Sequence, residues 1–165
     1  MSREDAGTAA LPDGPDALVA RVRAGDERAL ETVFRSHYSP LCDFAARYVR
    51  QDALAEELVQ DLFADLWARR QSWYVRGSVR AYLFAAVRNR ALNLREILER
   101  ADLRARLDAA LESLPERCRL VMHLRWREQM RHAEIASVMG ISVKGVEIQL
   151  ARGLRAIRDR MSFRA

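Results

Sequence analysis

Cationic and amide side chains recur along one stretch of the C-terminal third, HAEIASVMGISVKGVEIQLARGLRAI, residues 132–157. Lysine, arginine and glutamine are the side chains that hydrogen-bond base edges in the DNA major groove and hold phosphates. In the same stretch Val146, Leu150, Leu154 and Ile157 recur at intervals of four, four and three residues, which is the spacing of one helical face. This spacing leaves the polar side chains on the opposite face, towards solvent or towards a groove.

A glycine and a serine divide this stretch into two predicted helices. The first helix is short, with Ile135, Val138 and Met139 facing inward, and it ends at Gly140, which can adopt the left-handed conformation. Ser142 is placed to cap the second helix. This combination predicts a helix-turn-helix rather than a solvated amphipathic hairpin, with one end of the second helix in the major groove. The candidate duplex-binding residues are Ser142, Lys144, Gly145, Glu147, Ile148, Gln149, Arg152 and Arg155.

Charges of opposite sign are separated in the middle of the chain. Residues 51–67 carry five acidic and no basic side chains, whereas residues 68–95 carry seven arginines and no acidic side chain. Blocks of one sign indicate two faces with different kinds of partner. Trp73 and Tyr74 lie beside the arginines in a predicted exposed loop, and rings flanked by cations suit the stacking of single-stranded bases.

Helical periodicity dominates the rest of the chain. Leu54, Leu58, Leu62 and Leu66 recur every four residues in the clearest helix, and Pro40 is expected to kink or interrupt the helix that precedes it. No strand pattern is present. The predicted fold class is therefore all-α, with two small helical domains joined by a short linker. The predicted boundaries are a flexible tail at 1–15, a first domain at 16–98, a linker at 99–110 and a second domain at 111–165.

Composition narrows the function classes. The net charge of +5 favours a polyanionic partner. No apolar run reaches the roughly 20 residues of a membrane span, and the N-terminus lacks the apolar core of a signal peptide, so we expect a cytoplasmic protein without membrane insertion. His37 with Cys42, or Cys118 with His123, could supply two ligands of a metal site. Neither pair is accompanied by a second pair of ligands at the spacing that such a site requires. We therefore expect no enzyme activity, metal or cofactor.

Three motifs in order resemble a known family. The motifs are AEELVQDLFADLWARR, VRAYLFAAVRNRALNLRE and the segment that runs from LESLPERCRL to RAIRDRM. They are similar to bacterial extracytoplasmic function (ECF) sigma factors, and the resemblance covers residues 16–161. It implies a sigma region 2 helical bundle at 16–98 and a sigma region 4 helix-turn-helix at 111–165. The implied function is that of an alternative sigma factor, which binds core RNA polymerase and directs promoter-specific transcription initiation.

The resemblance also implies site residues and partners. The acidic helix would dock on the β′ clamp helices of core RNA polymerase through Glu57, Gln60, Asp61 and Trp67. The loop and helix after it would melt the promoter −10 element and hold its non-template strand, through Trp73, Tyr74, Arg76, Arg80, Arg88, Asn89 and Asn93. The helix-turn-helix would bind the −35 element as duplex and touch the β flap. An anti-sigma factor is a further expected partner.

Several positions depart from the family pattern. Asn93 stands where aspartate is common, and Glu147 and Ile148 stand where many members have a basic and a small polar residue. The ISVKGVE motif is closer to the iron-uptake type, which usually has threonine at Gly145, and the linker at 99–110 is shorter than is common. The alternative is a free-standing LuxR-like regulator with a similar recognition helix and an N-terminal sensor or dimerisation lobe. An acidic helix directly before an arginine-rich helix argues against that alternative.

Overall fold

The computed structural model describes residues 14–162, and every regular element in that part of the chain is a helix. This confirms the all-α prediction. Most of the predicted tail, residues 1–13, lies outside the described residues. The helices in chain order are α1 Pro15–Arg23, α2 Glu27–Val49, α3 Asp52–Ala68, α4 Val79–Glu112, α5 Glu116–Trp126, α6 His132–Met139 and α7 Val143–Ser162, with a short 3-10 helix at Arg70–Ser72.

The chain divides into two compact units, Met1–Ile97 and Leu98–Ala165. The division falls within α4, which runs on to Glu112. The segment 99–110, predicted as a linker, is therefore helical throughout. Charged helix-forming residues such as those of ERADLRARLDAA favour this conformation, because their long side chains lose little rotamer freedom in a helix.

The corner between α1 and α2 is closed by local hydrogen bonds. Gly25 takes a φ of +91°, which its lack of a Cβ makes accessible. The Asp26 carboxylate then accepts hydrogen bonds from the backbone N–H of Arg28 at 3.0 Å and of Ala29 at 3.3 Å, capping α2. It also accepts from Arg21 Nε at 2.8 Å, and the Arg21 bond is the main cause of the lowered pKa of Asp26. These bonds hold the end of α1 against the start of α2.

The core of the first unit is formed by the apolar faces of α1 to α4. Its most enclosed side chains are Val22, Val33, Leu41, Val59 and Leu83. The predicted leucine stripe of α3 contributes Leu58, Leu62 and Leu66 to this core, and Leu54 packs against it. Helix α2 continues through Pro40, so the expected interruption does not occur there, although proline cannot supply a helical N–H at that point.

The core of the second unit lies between α5, α6 and α7. Cys118, Val121, Ile135, Val146 and Leu150 form its buried centre. Two side chains that were expected to face inward are exposed instead: Val138 is 61% and Leu154 is 43% exposed. The prediction for Leu154 was wrong because the inner face of α7 runs through the buried Gly153 rather than through its neighbour.

Gly153 marks the closest approach of α7 to α5. A Cβ added there would lie 2.7 Å from Met122 Sδ, 3.0 Å from Met122 Cγ and 3.1 Å from Cys118 Sγ. Both neighbouring side chains are buried, so neither can move aside without disturbing the core. The sequence offered no sign of this constraint, since glycine inside a helix normally only weakens it.

The variant Gly153→Ala is expected to destabilise the second unit. We expect the free energy of unfolding to fall by up to about 2 kcal/mol, because overpacking costs about 1–3 kcal/mol and the gain in helix propensity returns about 1 kcal/mol. Urea unfolding of the full chain, followed by circular dichroism, measures this difference. The comparison variant is Gly145→Ala on the same helix, whose Cβ would lie 3.2 Å from Ser142 Oγ, a milder contact than the 2.7 Å to Met122 Sδ at Gly153. Equal stability of the two variants would contradict the packing role of Gly153.

Candidate functional site

The turn between α6 and α7 has the geometry that the sequence predicts for a helix-turn-helix. Gly140 ends α6 with a φ of +63°, in the left-handed region. Ser142 then caps α7, because its Oγ accepts a hydrogen bond from the backbone N–H of Gly145 at 3.0 Å. The buried side chains of Ile135, Val146 and Leu150 hold the two helices together beneath the turn. The outer face of α7 is thereby presented on a rigid support.

The predicted duplex-binding residues fall mainly on that outer face. Lys144, Ile148, Arg152 and Arg155 are exposed and follow one another at helical spacing along α7. The remaining members of the predicted set divide between exposed Ser142 and Glu147 and half-buried Gly145 and Gln149. The described α7 therefore carries three cations and one apolar side chain in a row, which suits contact with phosphates and base edges.

Glu147 and Gly145, two of the positions that depart from the family pattern, both lie close to other residues of the helix-turn-helix. The Glu147 carboxylate lies 4.0 Å from His132 Nδ1 at the start of α6, at the outer limit of an ion pair. Gly145 lies against the turn, where an added Cβ would be 3.2 Å from Ser142 Oγ and 3.5 Å from Ile141 Cβ. The absence of a side chain at 145 therefore leaves space for the capping serine and for the apolar side chain of the turn.

Helix α3 presents the predicted polymerase-binding residues on its outer side. Glu57, Gln60 and Asp61 are exposed, and Gln60 Nε2 donates a hydrogen bond to the Tyr38 hydroxyl of α2 at 3.1 Å. Trp67 is half-buried and packs against the core. These contacts tie Gln60 and Trp67 to the fold, so Glu57 and Asp61 form the exposed carboxylate part of this surface.

Arg70 covers Trp67. Its guanidinium carbon lies 4.4 Å from the centre of the Trp67 ring, and its Nη1 donates to the Trp67 carbonyl at 3.1 Å. A guanidinium over an indole face is a favourable cation–π arrangement. Arg70 therefore covers one face of the Trp67 ring, and the packing of Trp67 against the core covers a further part of it.

An ion pair joins the acidic helix to the arginine-rich helix. Arg90 Nη2 of α4 donates to Asp65 Oδ2 of α3 at 2.8 Å. The hydrogen bond from Arg90, together with its charge, lowers the pKa of Asp65. This ion pair therefore connects the two charged segments predicted from the sequence, and neither Asp65 nor Arg90 belongs to the predicted contact sets.

The predicted single-strand surface is exposed, with one correction. Tyr74 is 66% exposed, and Arg76, Arg80, Arg88, Asn89 and Asn93 are also exposed. Trp73 is only 4% exposed, so the prediction of an exposed ring at this position was wrong. Its ring packs against the domain core, with its centre 6.1 Å from that of Tyr82. A single large ring in a loop carries no periodicity, so the sequence could not reveal which of the two adjacent rings is buried.

An arginine that the sequence did not single out lies against the exposed ring. The Arg23 guanidinium carbon is 3.9 Å from the centre of the Tyr74 ring, and Arg23 Nη2 donates to the Tyr74 hydroxyl. Arg23 ends α1, far from Tyr74 in sequence, and neither periodicity nor a local motif could connect the two. The pairing is a consequence of the tertiary fold.

The two cysteines are unsuited to nucleophilic chemistry. Burial raises the pKa of Cys42 and of Cys118, so both are protonated thiols at neutral pH. Cys118 Sγ donates to the Gln149 carbonyl at 3.2 Å. Within residues 14–162 no group of three or more histidine, cysteine or acidic side chains is arranged to hold a metal ion. In the same part of the chain, no helix combines the length and the apolar character needed to cross a membrane.

Two family models match the chain. The model described as Sigma-70 region 2 matches residues 33–98, and the model described as Sigma-70, region 4 matches residues 104–157. The first match spans the acidic α3 and the arginine-rich part of α4, and the second spans the helix-turn-helix. Together they cover most of the chain. No curated protein matches the chain significantly.

Solved structures similar to this chain include three complexes. CnrH in complex with the cytosolic domain of CnrY is 26% identical, with 93% of this chain and 100% of that chain covered and a TM-score of 0.46. The RsbN–BldN complex gives 23% identity, coverage of 86% and 97%, and a TM-score of 0.41. The sigma factor RpoE in complex with the anti-sigma factor NepR from Bartonella quintana is 17% identical, with 82% of this chain and 98% of that chain covered and a TM-score of 0.40. The family assignment comes from the two sequence-family matches.

Proposed function

The chain is an alternative sigma factor of the sigma-70 family, which directs RNA polymerase to promoters, and we propose that it is of the ECF type and acts through three surfaces. The observation that carries this proposal is the order of its parts. An acidic helix, an arginine-rich helix with an aromatic loop, and a basic helix-turn-helix follow one another across the two matched regions. The narrower iron-uptake-like type rests on the ISVKGVE motif alone and stays a prediction.

The first proposed surface is the outer side of α3, which docks on core RNA polymerase. Glu57 and Asp61 are four residues apart and therefore lie on one helical face, where both are exposed. Gln60 and the free part of Trp67 extend this face. We assign this surface to the β′ clamp helices, in line with the resemblance to ECF proteins.

The second proposed surface holds the melted −10 strand. Tyr74 offers a ring for stacking, while exposed cations and amides nearby can follow the strand backbone and contact bases. The residues assigned here are Tyr74, Arg76, Arg80, Arg88, Asn89 and Asn93. Trp73 is left out of the contacting set, because its buried ring supports the loop from below.

The third proposed surface is the outer face of α7, which binds the −35 element as duplex. Lys144, Arg152 and Arg155 supply charge, and Gln149 supplies an amide at the edge of this face. In the same unit, α4, α5 and α7 line an apolar groove of about 770 Å³ whose exposed side chains include Leu120 and Trp126. We assign this groove to the β flap contact. An anti-sigma factor remains a further expected partner of these surfaces.

The proposal is tested by run-off transcription with sigma-free bacterial core RNA polymerase on fragments of the source genome. A sigma factor makes discrete start sites appear only when the protein is added, and the shared upstream sequences give its −35 and −10 elements. The protein itself contributes no catalytic step in this scheme, and it acts where the bacterial polymerase acts, in the cytoplasm. Duplex binding by the protein alone without new start sites would instead support the LuxR-like regulator, which the region 2 match does not favour.

A further inference from the structure

We propose that Arg23 is a positioning residue for promoter melting: it holds the Tyr74 ring so that the outer face of the ring is presented to an unpaired base. The inference rests on the proposed −10 role of Tyr74. It adds a residue of α1, which the sequence had placed only in the scaffold of the first unit.

The backbone of Arg23 is held firmly by its surroundings. It follows Val22, which is fully buried, and it precedes the Gly25 turn and the Asp26 cap that close the α1–α2 corner. The buried Arg23 Nε has no hydrogen-bond partner within residues 14–162. The hydrogen bond to Tyr74 is made by Nη2, at the end of the guanidinium group. Arg23 therefore reaches Tyr74 from a fixed origin.

Tyr74 itself has little else to fix its orientation. Its neighbour Trp73 is anchored in the core, whereas the Tyr74 ring extends into solvent. The Arg23 guanidinium carbon lies 3.9 Å from the centre of the Tyr74 ring and covers one face of it. The hydrogen bond from Arg23 to the Tyr74 hydroxyl restricts the orientation of the ring. A ring held in this way loses less side-chain freedom when a base stacks on its open face, which is the general benefit of preorganisation.

Two other roles of Arg23 would also make its removal affect promoter opening, and each makes a different prediction. If Arg23 contacted DNA phosphates directly, its removal would weaken melting whether or not Tyr74 is present. If Arg23 served only the stability of the fold, its removal would lower the thermal stability without a selective loss at the −10 element. A double-mutant cycle between Arg23 and Tyr74 separates these routes.

The experiment uses holoenzyme formed with core RNA polymerase, on a promoter obtained from the run-off assay. Permanganate reactivity of unpaired −10 thymines measures the equilibrium between closed and open complexes. We expect Tyr74→Ala to lower the opening equilibrium constant by about tenfold, the scale of losing one base–aromatic stack. We expect Arg23→Ala to lower it by about two- to fivefold, the scale of an exposed cation–π contact. In the Tyr74→Ala background, Arg23→Ala should cause no further loss.

The matched control is Arg35→Ala on α2, which removes the same charge from an exposed arginine whose partner is Glu31. It should leave opening at the wild-type level. A second variant, Tyr74→Phe, keeps the ring and leaves Arg23 in place while removing only the hydroxyl. We expect it to lose part of the opening, and because Arg23 is unchanged in this variant, the test remains usable if Arg23→Ala folds poorly. Opening at the wild-type level in Tyr74→Phe would overturn the positioning role of the hydrogen bond between Arg23 and Tyr74.

Each contrary outcome has a distinct meaning. Normal opening by Tyr74→Ala would overturn the −10 role of Tyr74 and the inference with it. Impaired opening by Tyr74→Ala with normal opening by Arg23→Ala would overturn the inference alone. Additive losses in the double variant would overturn it as well, since Arg23 would then act on the DNA itself.

Discussion

Asp61→Arg is expected to lower the affinity of the protein for core RNA polymerase by about ten- to a hundredfold, the range for charge reversal within an interface that depends on complementary charge. Asp61 is exposed on α3, one helical turn after Glu57, and both carboxylates face the same side. The change replaces attraction to a basic partner by repulsion. A labelled-protein titration with core polymerase measures the affinity directly, and the effect should shrink as the salt concentration rises.

The control for Asp61→Arg is Asp52→Arg, which makes the same charge change at an exposed position of the same helix. Asp52 lies nine residues before Asp61, and at 3.6 residues per turn this places it on the opposite side of α3. We expect the Asp52 variant to bind core polymerase nearly as well as the wild type. An unchanged core affinity of Asp61→Arg would remove Asp61 from the docking surface. Equal losses in both variants would indicate a response to net charge rather than to a defined face.

Arg152→Ala is expected to weaken −35 recognition by about tenfold or more, since a base-edge or phosphate contact by arginine is worth about 1–3 kcal/mol. Arg152 lies in the middle of the exposed row on α7, one turn beyond Ile148. Footprinting of holoenzyme over the upstream element, together with start-site selection, measures the loss. Association with core polymerase should stay as it is in the wild type, because the variant leaves α3 untouched.

The matched control for Arg152→Ala is Arg160→Ala, which removes one positive charge from the last turn of the same helix. It lies outside the proposed contact set, so its upstream footprint should resemble that of the wild type at moderate salt. An unchanged footprint with Arg152→Ala would exclude the residue from the interface. A loss that is uniform across all sequences, with a shallower salt dependence, would identify Arg152 as a phosphate contact rather than a base contact.

Much of the fold was predictable because it follows from local chemistry. Apolar residues at helical spacing locate α3 and the first part of α4, and the caps at Asp26 and Ser142 fix where α2 and α7 begin. Gly140 ends α6 because glycine adopts the left-handed conformation without strain. Each of these signals lies within a few residues of the feature it predicts.

Long-range packing decided the details that the sequence could not supply. Periodicity assigned Leu154 and Val138 to the interior, but the crossing of α7 over α5 is set by the space around Gly153. Because α7 and α5 approach each other so closely there, the inner face of α7 carries Gly153 rather than Leu154. The burial of Trp73 and the cover of Tyr74 by Arg23 likewise depend on how separate helices pack.

By itself, the sequence determined the helical class, the order of the acidic, arginine-rich and helix-turn-helix segments, and the family to which that order belongs. These properties depend on residue type and on spacing within single helices, which are local quantities. The tertiary structure alone decided which ring of the Trp73–Tyr74 pair remains available, which arginine supports it, and which carboxylate of α3 is tied to Arg90. Those choices depend on contacts between residues distant in the chain, and such contacts exist only after the helices have packed.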